Sequence, residues 1–187
     1  MKRAKAWVIE EEPWAGINDY GKVIELDPNH IDAYSERAKL YAKLEEHSLT
    51  KKDLSAIVKI IADDPTMYCR RGLANLNLRD FNSAIEDYNK ALELDPSRID
   101  CVVGRGDVFA EMGEYKKAFQ DYNAAIAVDV NYRHAYMRRG RLYKEQGEKQ
   151  LAIADYTKVI EFGDFDLKAM RELQSLGKYT PWHQSRN

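Results

Sequence analysis

The chain has 187 residues, 44% hydrophobic and 32% charged, an ordinary balance for a soluble globular protein. Lys+Arg 29 against Asp+Glu 31 leave a formal net charge of −2, which gives no general pull toward phosphate backbones or acidic membrane surfaces; nucleic acid and membrane are set aside as partners. Met1 to Glu10 carries basic residues but no apolar h-region, and no run approaches the roughly 18 apolar residues of a membrane span, so the chain reads as cytoplasmic. Cys69 and Cys101 match no disulfide or zinc spacing, and free thiols in a reducing compartment are expected.

From the N terminus, Lys2-Arg3-Ala4-Lys5-Ala6-Trp7 parallels Glu36-Arg37-Ala38-Lys39-Leu40-Tyr41, and Gly16, Tyr20, Val23 and Pro28 recur at the spacing of later segments. Pro13 suits the first turn of a helix, where a missing N–H costs little. The opening helix is short by about a turn, so either the natural chain begins with a clipped repeat or an upstream part is missing. Residues 31–64 repeat the pattern through Ala33, Tyr34, Ala38 and Tyr41, but LEEHSLTKKD is expected to lengthen the inner turn, with Leu54, Ile57, Ile60 and Ile61 supplying the apolar face of the second helix.

Residues 65–98 set the pattern most clearly, and it recurs with a period of about 34 residues. Counting Pro65 as position 1, position 8 is Gly72, Gly106 and Gly140, and position 20 is Ala84, Ala118 and Ala152. Small residues on both sides of a helix crossing let the ridges interlock closely, while Tyr88, Tyr122 and Tyr156 fill the space beside it. Gly113 and Gly147 suit the left-handed residue that ends a helix, and Asp80 suits an N-cap. Pro96 closes a second helix; Val130 and Asp164 replace it in the next two repeats, whose turns should be less rigid. Leu167, Met170, Leu173 and Leu176 then form a helical stripe ended by Gly177, as a terminal cap requires. The expected organisation is one array over 1–177: a partial repeat 1–30, repeats 31–64, 65–98, 99–132 and 133–166, and a capping helix at about 165–177. A tail, 178–187, follows.

The order Tyr68, Gly72, Phe81, Ala84, Tyr88, Ala91 and Pro96 resembles a tetratricopeptide repeat. The resemblance implies an all-α, right-handed superhelix of helix-turn-helix units and a non-enzymatic scaffold or adaptor that holds another protein. It also implies a concave face lined by positions 2, 5, 9, 12 and 13 of each first helix. On this chain that face would comprise Lys5; Asp32, Ser35, Lys39, Ala42 and Lys43; Thr66, Cys69, Leu73, Leu76 and Asn77; Asp100, Val103, Asp107, Ala110 and Glu111; and His134, Met137, Arg141, Lys144 and Glu145. Cys69, Leu73, Leu76, Val103 and Met137 would make an apolar floor for a peptide of a partner protein, between basic ends and one acidic wall. Family members that grip the acidic tails of heat-shock chaperones carry Lys and Asn at set positions. Ser35 and Lys39, Cys69 and Leu73, then Val103 and Asp107 do not reproduce them, and Met137 with Arg141 does not either.

One feature departs from that family, in many of whose repeats position 7 is Leu. Here it is Arg3, Arg37, Arg71, Arg105 and Arg139, while position 23 is Asp19, Asp87, Asp121 and Asp155. An arginine–aspartate ladder is expected, within a repeat or between neighbours. His30, His47, His134 and His183 lie on different repeats or in turns and form no triad or metal set. Gly104 and Gly106 sit inside a helix for packing and not in a phosphate loop, so no enzyme activity, cofactor or metal is expected. Two rival readings remain: self-association through the truncated N-terminal repeat, giving a homo-oligomer, and RNA binding by a helical repeat.

Overall fold

The structure, a computed structural model, describes residues 13–163 and 166–178. The opening half-repeat with Arg3 and Lys5, Asp164 in its turn, and the tail from Tyr179 with Trp182 and His183 lie outside the described residues. All regular structure among the described residues is helical. It runs α1 (Pro13–Leu26), α2 (Ile31–Lys43), α3 (His47–Ile60), α4 (Pro65–Asn77), α5 (Phe81–Leu94), α6 (Ile99–Glu111), α7 (Tyr115–Val128), α8 (Arg133–Glu145), α9 (Lys149–Glu161) and α10 (Leu167–Ser175). The contact pattern divides the chain into two compact units, with the boundary between Gly104 and Arg105 inside α6.

The repeat at 31–64 keeps the regular phase, contrary to the lengthened inner turn expected from LEEHSLTKKD. The turns at 44–46, 78–80, 112–114 and 146–148 have the same length. Each closes by one double hydrogen bond around a left-handed residue. Glu45 N donates to Ala42 O (3.1 Å) and Glu46 N to Tyr41 O (2.9 Å); Gly113 N to Ala110 O (3.0 Å) and Glu114 N to Phe109 O (2.8 Å) do the same. Glu45 and Arg79 take φ 59° where Gly113 and Gly147 take 78° and 79°. The turn therefore survives without its glycine, at Arg79 as at Glu45.

In unit 1 the core is built where a second helix meets the first helix of its own repeat and that of the next. Ile17 and Tyr20 pack with Ala33 and Leu40, and Ala38 packs with Leu54 and Ile57. Leu54 takes the place that tyrosine holds in the other repeats, and Thr50, buried, replaces the small alanine. Tyr88 is buried against Gly72, where an added Cβ would lie 3.1 Å from its Cζ. It also meets Gly104 of the next first helix, where a Cβ would lie 2.5 Å from the same atom.

Unit 2 repeats the arrangement. A Cβ at Gly106 would lie 2.7 Å from Tyr122 Cε1, and one at Gly140 3.0 Å from Tyr156 Cε1. Its end is closed by α10. Asp166 accepts hydrogen bonds from the N–H groups of Lys168 and Ala169, both at 2.9 Å, and pairs with Arg133 Nη2 at 2.9 Å. The buried face of α10 is Ala169 and Leu173, with Met170 and Leu176 half-buried; Leu167, expected in the stripe, is exposed.

Candidate functional site

Positions 7 and 23 form ion pairs within each described complete repeat. Arg37 Nε and Nη2 donate to Asp53 at 2.8 and 2.7 Å, and Arg105 Nε and Nη2 to Asp121 at 2.9 and 2.8 Å. Arg139 Nε and Nη2 donate to Asp155 at 2.9 and 2.7 Å. Arg71 Nε donates to Asp87 Oδ2 at 2.9 Å, and Asn75 Nδ2 reaches the same oxygen at 2.9 Å. Asp53 stands at position 23 of repeat 31–64 and adds to the ladder a member not expected from the sequence. The four arginines are held above their ordinary proton affinity, chiefly by these hydrogen bonds. Each thus spends its Nε and Nη2 on the facing helix of its own repeat.

On the first-helix face of unit 1, α2 presents Lys39, Ala42 and Lys43, all exposed, with Lys39 Nζ 2.5 Å from Glu36 Oε1. On α4, Leu73 is 52% exposed, Leu76 is half-buried and Asn77 is exposed. Cys69 and Val103 lie beneath this face, at 8% and 6% exposure. Arg70, one position away, is half-buried, donates to Ser35 Oγ at 3.3 Å, and has its proton affinity lowered by burial.

The residues expected to line the same face in unit 2 are engaged internally. Asp107 accepts from Tyr122 Oη at 2.8 Å and forms an ion pair with Arg138 Nε at 3.1 Å, and burial pushes its carboxyl above the ordinary range. Arg141 Nε pairs with Glu145 at 2.8 Å, which raises its proton affinity. Lys144 Nζ binds Glu172 at 2.7 Å and Ser175 Oγ at 2.9 Å on α10. Met137 packs against the cluster of Ala152, Ile153, Tyr156 and Leu173. A shallow apolar cleft between α9 and α10, lined by Ile153, Thr157, Ile160, Glu161, Leu173 and Lys178, was not foreseen.

The two cysteines, expected as free thiols, are joined as a disulfide with their Cα atoms 5.5 Å apart. They occupy different repeat positions, 5 and 3, which face each other once two first helices lie side by side. Spacing within one repeat gave no sign of this. Cys69, Cys101 and Asp100 bring three donor atoms within 4.8 Å of one another, although Arg98 already pairs with both carboxylate oxygens of Asp100, at 2.9 and 2.7 Å. The N-cap of α2 is His30, whose Nδ1 accepts from Ala33 N at 3.3 Å, a structural role for one of the four histidines.

Comparison with known proteins agrees with this geometry. Family models described as "Tetratricopeptide repeat" match residues 65–98 and 134–162, and one described as "TPR repeat" matches 106–147. Small glutamine-rich tetratricopeptide repeat-containing protein 2 of Mycosarcoma maydis is 35% identical over 83 residues, covering 44% of this chain and 24% of that protein. Heat shock protein STI1 of Saccharomyces cerevisiae is 40% identical over 88 residues, covering 42% of this chain and 15% of that protein. The alignments thus span about a quarter or less of these relatives' own length. The crystal structure of MamA superposes with a TM-score of 0.75 at 22% identity, covering 96% of this chain and 99% of MamA, a likeness of fold. Repeat phase, left-handed inner turns, glycine–tyrosine crossings and these matches place the chain in the tetratricopeptide repeat family.

Proposed function

We propose that this chain is a non-enzymatic interaction module that binds a peptide segment of another protein on the first-helix face of unit 1. The observation that carries the reading is Leu73, 52% exposed beside half-buried Leu76, with Lys39 and Lys43 exposed on the neighbouring helix. An exposed leucine at a regular helix position flanked by cations suits a segment that alternates apolar anchors with acidic residues. Unit 2 is the weaker candidate, because Asp107 is held by Tyr122 and Arg138 and Lys144 is tied to Glu172 and Ser175 of α10.

The relatives support a protein partner, and the name of one, a heat shock protein, raises the question of a chaperone tail. The face argues for other chemistry. At the positions where the chaperone-tail binders described above carry lysine, asparagine and arginine, this chain has Ser35, Lys39, Cys69, Leu73, Val103 and Asp107, and Cys69 and Val103 are buried. An apolar anchor, with charge contacts at its rim, fits better than a carboxylate clamp. A cytoplasmic setting belongs to the same proposal; no described helix is long and apolar enough to cross a membrane.

The test is selection of a displayed peptide library on the full chain, followed by affinity measurement of the recovered peptides against Leu73→Glu and Lys39→Glu. Leu73 is solvent-facing, so both variants should keep the parent's circular dichroism and melting temperature. Affinity should fall about tenfold or more for Leu73→Glu, and less for the lysine variant at high salt than at low. Peptides that bind both variants as tightly as the parent would place the site elsewhere, with the cleft between α9 and α10 next in line.

A further inference from the structure

We propose that Cys69 and Cys101 are a reversible thiol–disulfide couple that latches the first helices of two consecutive repeats, α4 and α6. The inference is independent of the peptide-binding reading, since it concerns how the central repeat is held to its successor. Positions 5 and 3 of adjoining repeats supply the pair. The same two positions hold Ser35 and Met67 one repeat earlier, and Val103 and Ala135 one repeat later, so only this junction carries the chemistry. The backbones stand 5.5 Å apart at Cα, within the range a disulfide spans without backbone movement.

The junction is complete without the covalent bond. Arg71 pairs with Asp87 and holds α4 to α5, and the Tyr88 ring rests on both Gly72 and Gly104, joining α5 to α4 and to α6. Reduction therefore leaves a folded repeat whose two first helices are coupled by packing alone. Cys101 is fully buried and Cys69 nearly so, which restricts exchange to brief openings of this junction. The Asp100 carboxylate lies beside the pair, its Oδ2 3.7 Å from Cys69 Sγ, with its charge shared with Arg98. A metal is the weaker occupant of the same three donors, because Arg98 already neutralises Asp100 through both oxygens.

The oxidant is a small disulfide such as glutathione disulfide. The Cys69 thiolate attacks it and releases one glutathione; the Cys101 thiolate then attacks Cys69 Sγ in the mixed disulfide and releases the second. Two protein thiols and one glutathione disulfide become one protein disulfide and two glutathione thiols, which carry away both protons. Two electrons pass from protein to glutathione, and excess glutathione reverses each step.

The experiment equilibrates the full chain in glutathione buffers of graded composition, quenches with acid, alkylates under denaturing conditions, and counts labels by intact mass. The expected result is one transition from a doubly labelled to an unlabelled species. The reduced form should remain folded, with amide exchange in α4 and the first turns of α6 faster by roughly tenfold or more while α9 is unchanged. Cys69→Ser should remain folded and show no dependence on the buffer beyond that of its single thiol. Four results would each overturn the proposal: two labels in the most oxidising buffer, no label in the most reducing one, a stable singly glutathionylated species, or equal exchange in both forms.

Discussion

At Glu45 and Arg79 a side chain occupies backbone that glycine holds in the two following inner turns, with φ 59° against 78° and 79°. A Cβ there crowds the following carbonyl, a cost glycine escapes, partly offset by the freedom glycine gains in the unfolded chain. Glu45→Gly should therefore raise stability by about 0.5–1 kcal/mol, read as a higher urea midpoint at unchanged slope. Arg79→Gly should gain less, because its guanidinium lies 5.2 Å from the Phe81 ring centroid. The reverse logic holds at the crossings. Gly106→Ala brings a Cβ within 2.7 Å of Tyr122 Cε1 and 3.2 Å of Asp121 Cβ, so ring and backbone must shift together. That substitution should cost about 1–3 kcal/mol, and equal stability would mean that the crossing is loosely packed. Gly72, Gly106 and Gly140 were legible because a small residue at a fixed period has one economical explanation. Glu45 and Arg79 were not, since nothing in either side chain marks a left-handed backbone.

The ladder is a property of the helix pair, because position 7 on the first helix and position 23 on the second meet only once the two have crossed. Its fixed spacing made it legible, and Asp53 escaped only because Thr50 and Leu54 replaced the alanine and tyrosine that mark the phase. Asp87 is the most committed member: it accepts from Arg71 and Asn75 and is buried. Asp87→Ala strands a guanidinium and an amide together and should cost about 3 kcal/mol. In a double-mutant cycle with Arg71→Met much of that loss should return, as the stranded charge goes too. If the two losses were simply additive, the pair would contribute nothing specific to the crossing. The candidate face was less legible than the ladder. Helical periodicity tells which residues look outward, but not that Asp107 is claimed by Tyr122 and Arg138, or Lys144 by Glu172.

Among the described residues aspartates tie several helix ends and inter-repeat turns, and this gives the array a common response to acid. Asp64 caps the first helix α4, Asp80 the second helix α5 and Asp166 the closing helix α10, and Asp27, Asp95 and Asp129 accept from the backbone two residues on in the turns between repeats. Four acidic groups are held below the ordinary carboxylate range: Asp80 by its hydrogen bond from Lys51, Asp95 by Ser97, Asp100 by Arg98 and Asp166 by the Ala169 N–H. A carboxylate whose folded-state proton affinity is depressed contributes its full stability above the unfolded value, about pH 4, and loses it as pH falls through the lower folded value. Asp107 acts in the opposite sense, since burial raises it and its protonation relieves a cost. Four groups against one make the net effect a loss. The melting temperature should be nearly level from about pH 7 to pH 5 and fall steadily below about pH 4. Asp166→Asn should begin from a lower plateau and descend less steeply, because the amide keeps an acceptor for the Lys168 and Ala169 N–H groups but forgoes the charge shared with Arg133. Parallel curves for parent and variant would show that Asp166 binds its proton equally well folded and unfolded, and that acid acts on the array elsewhere.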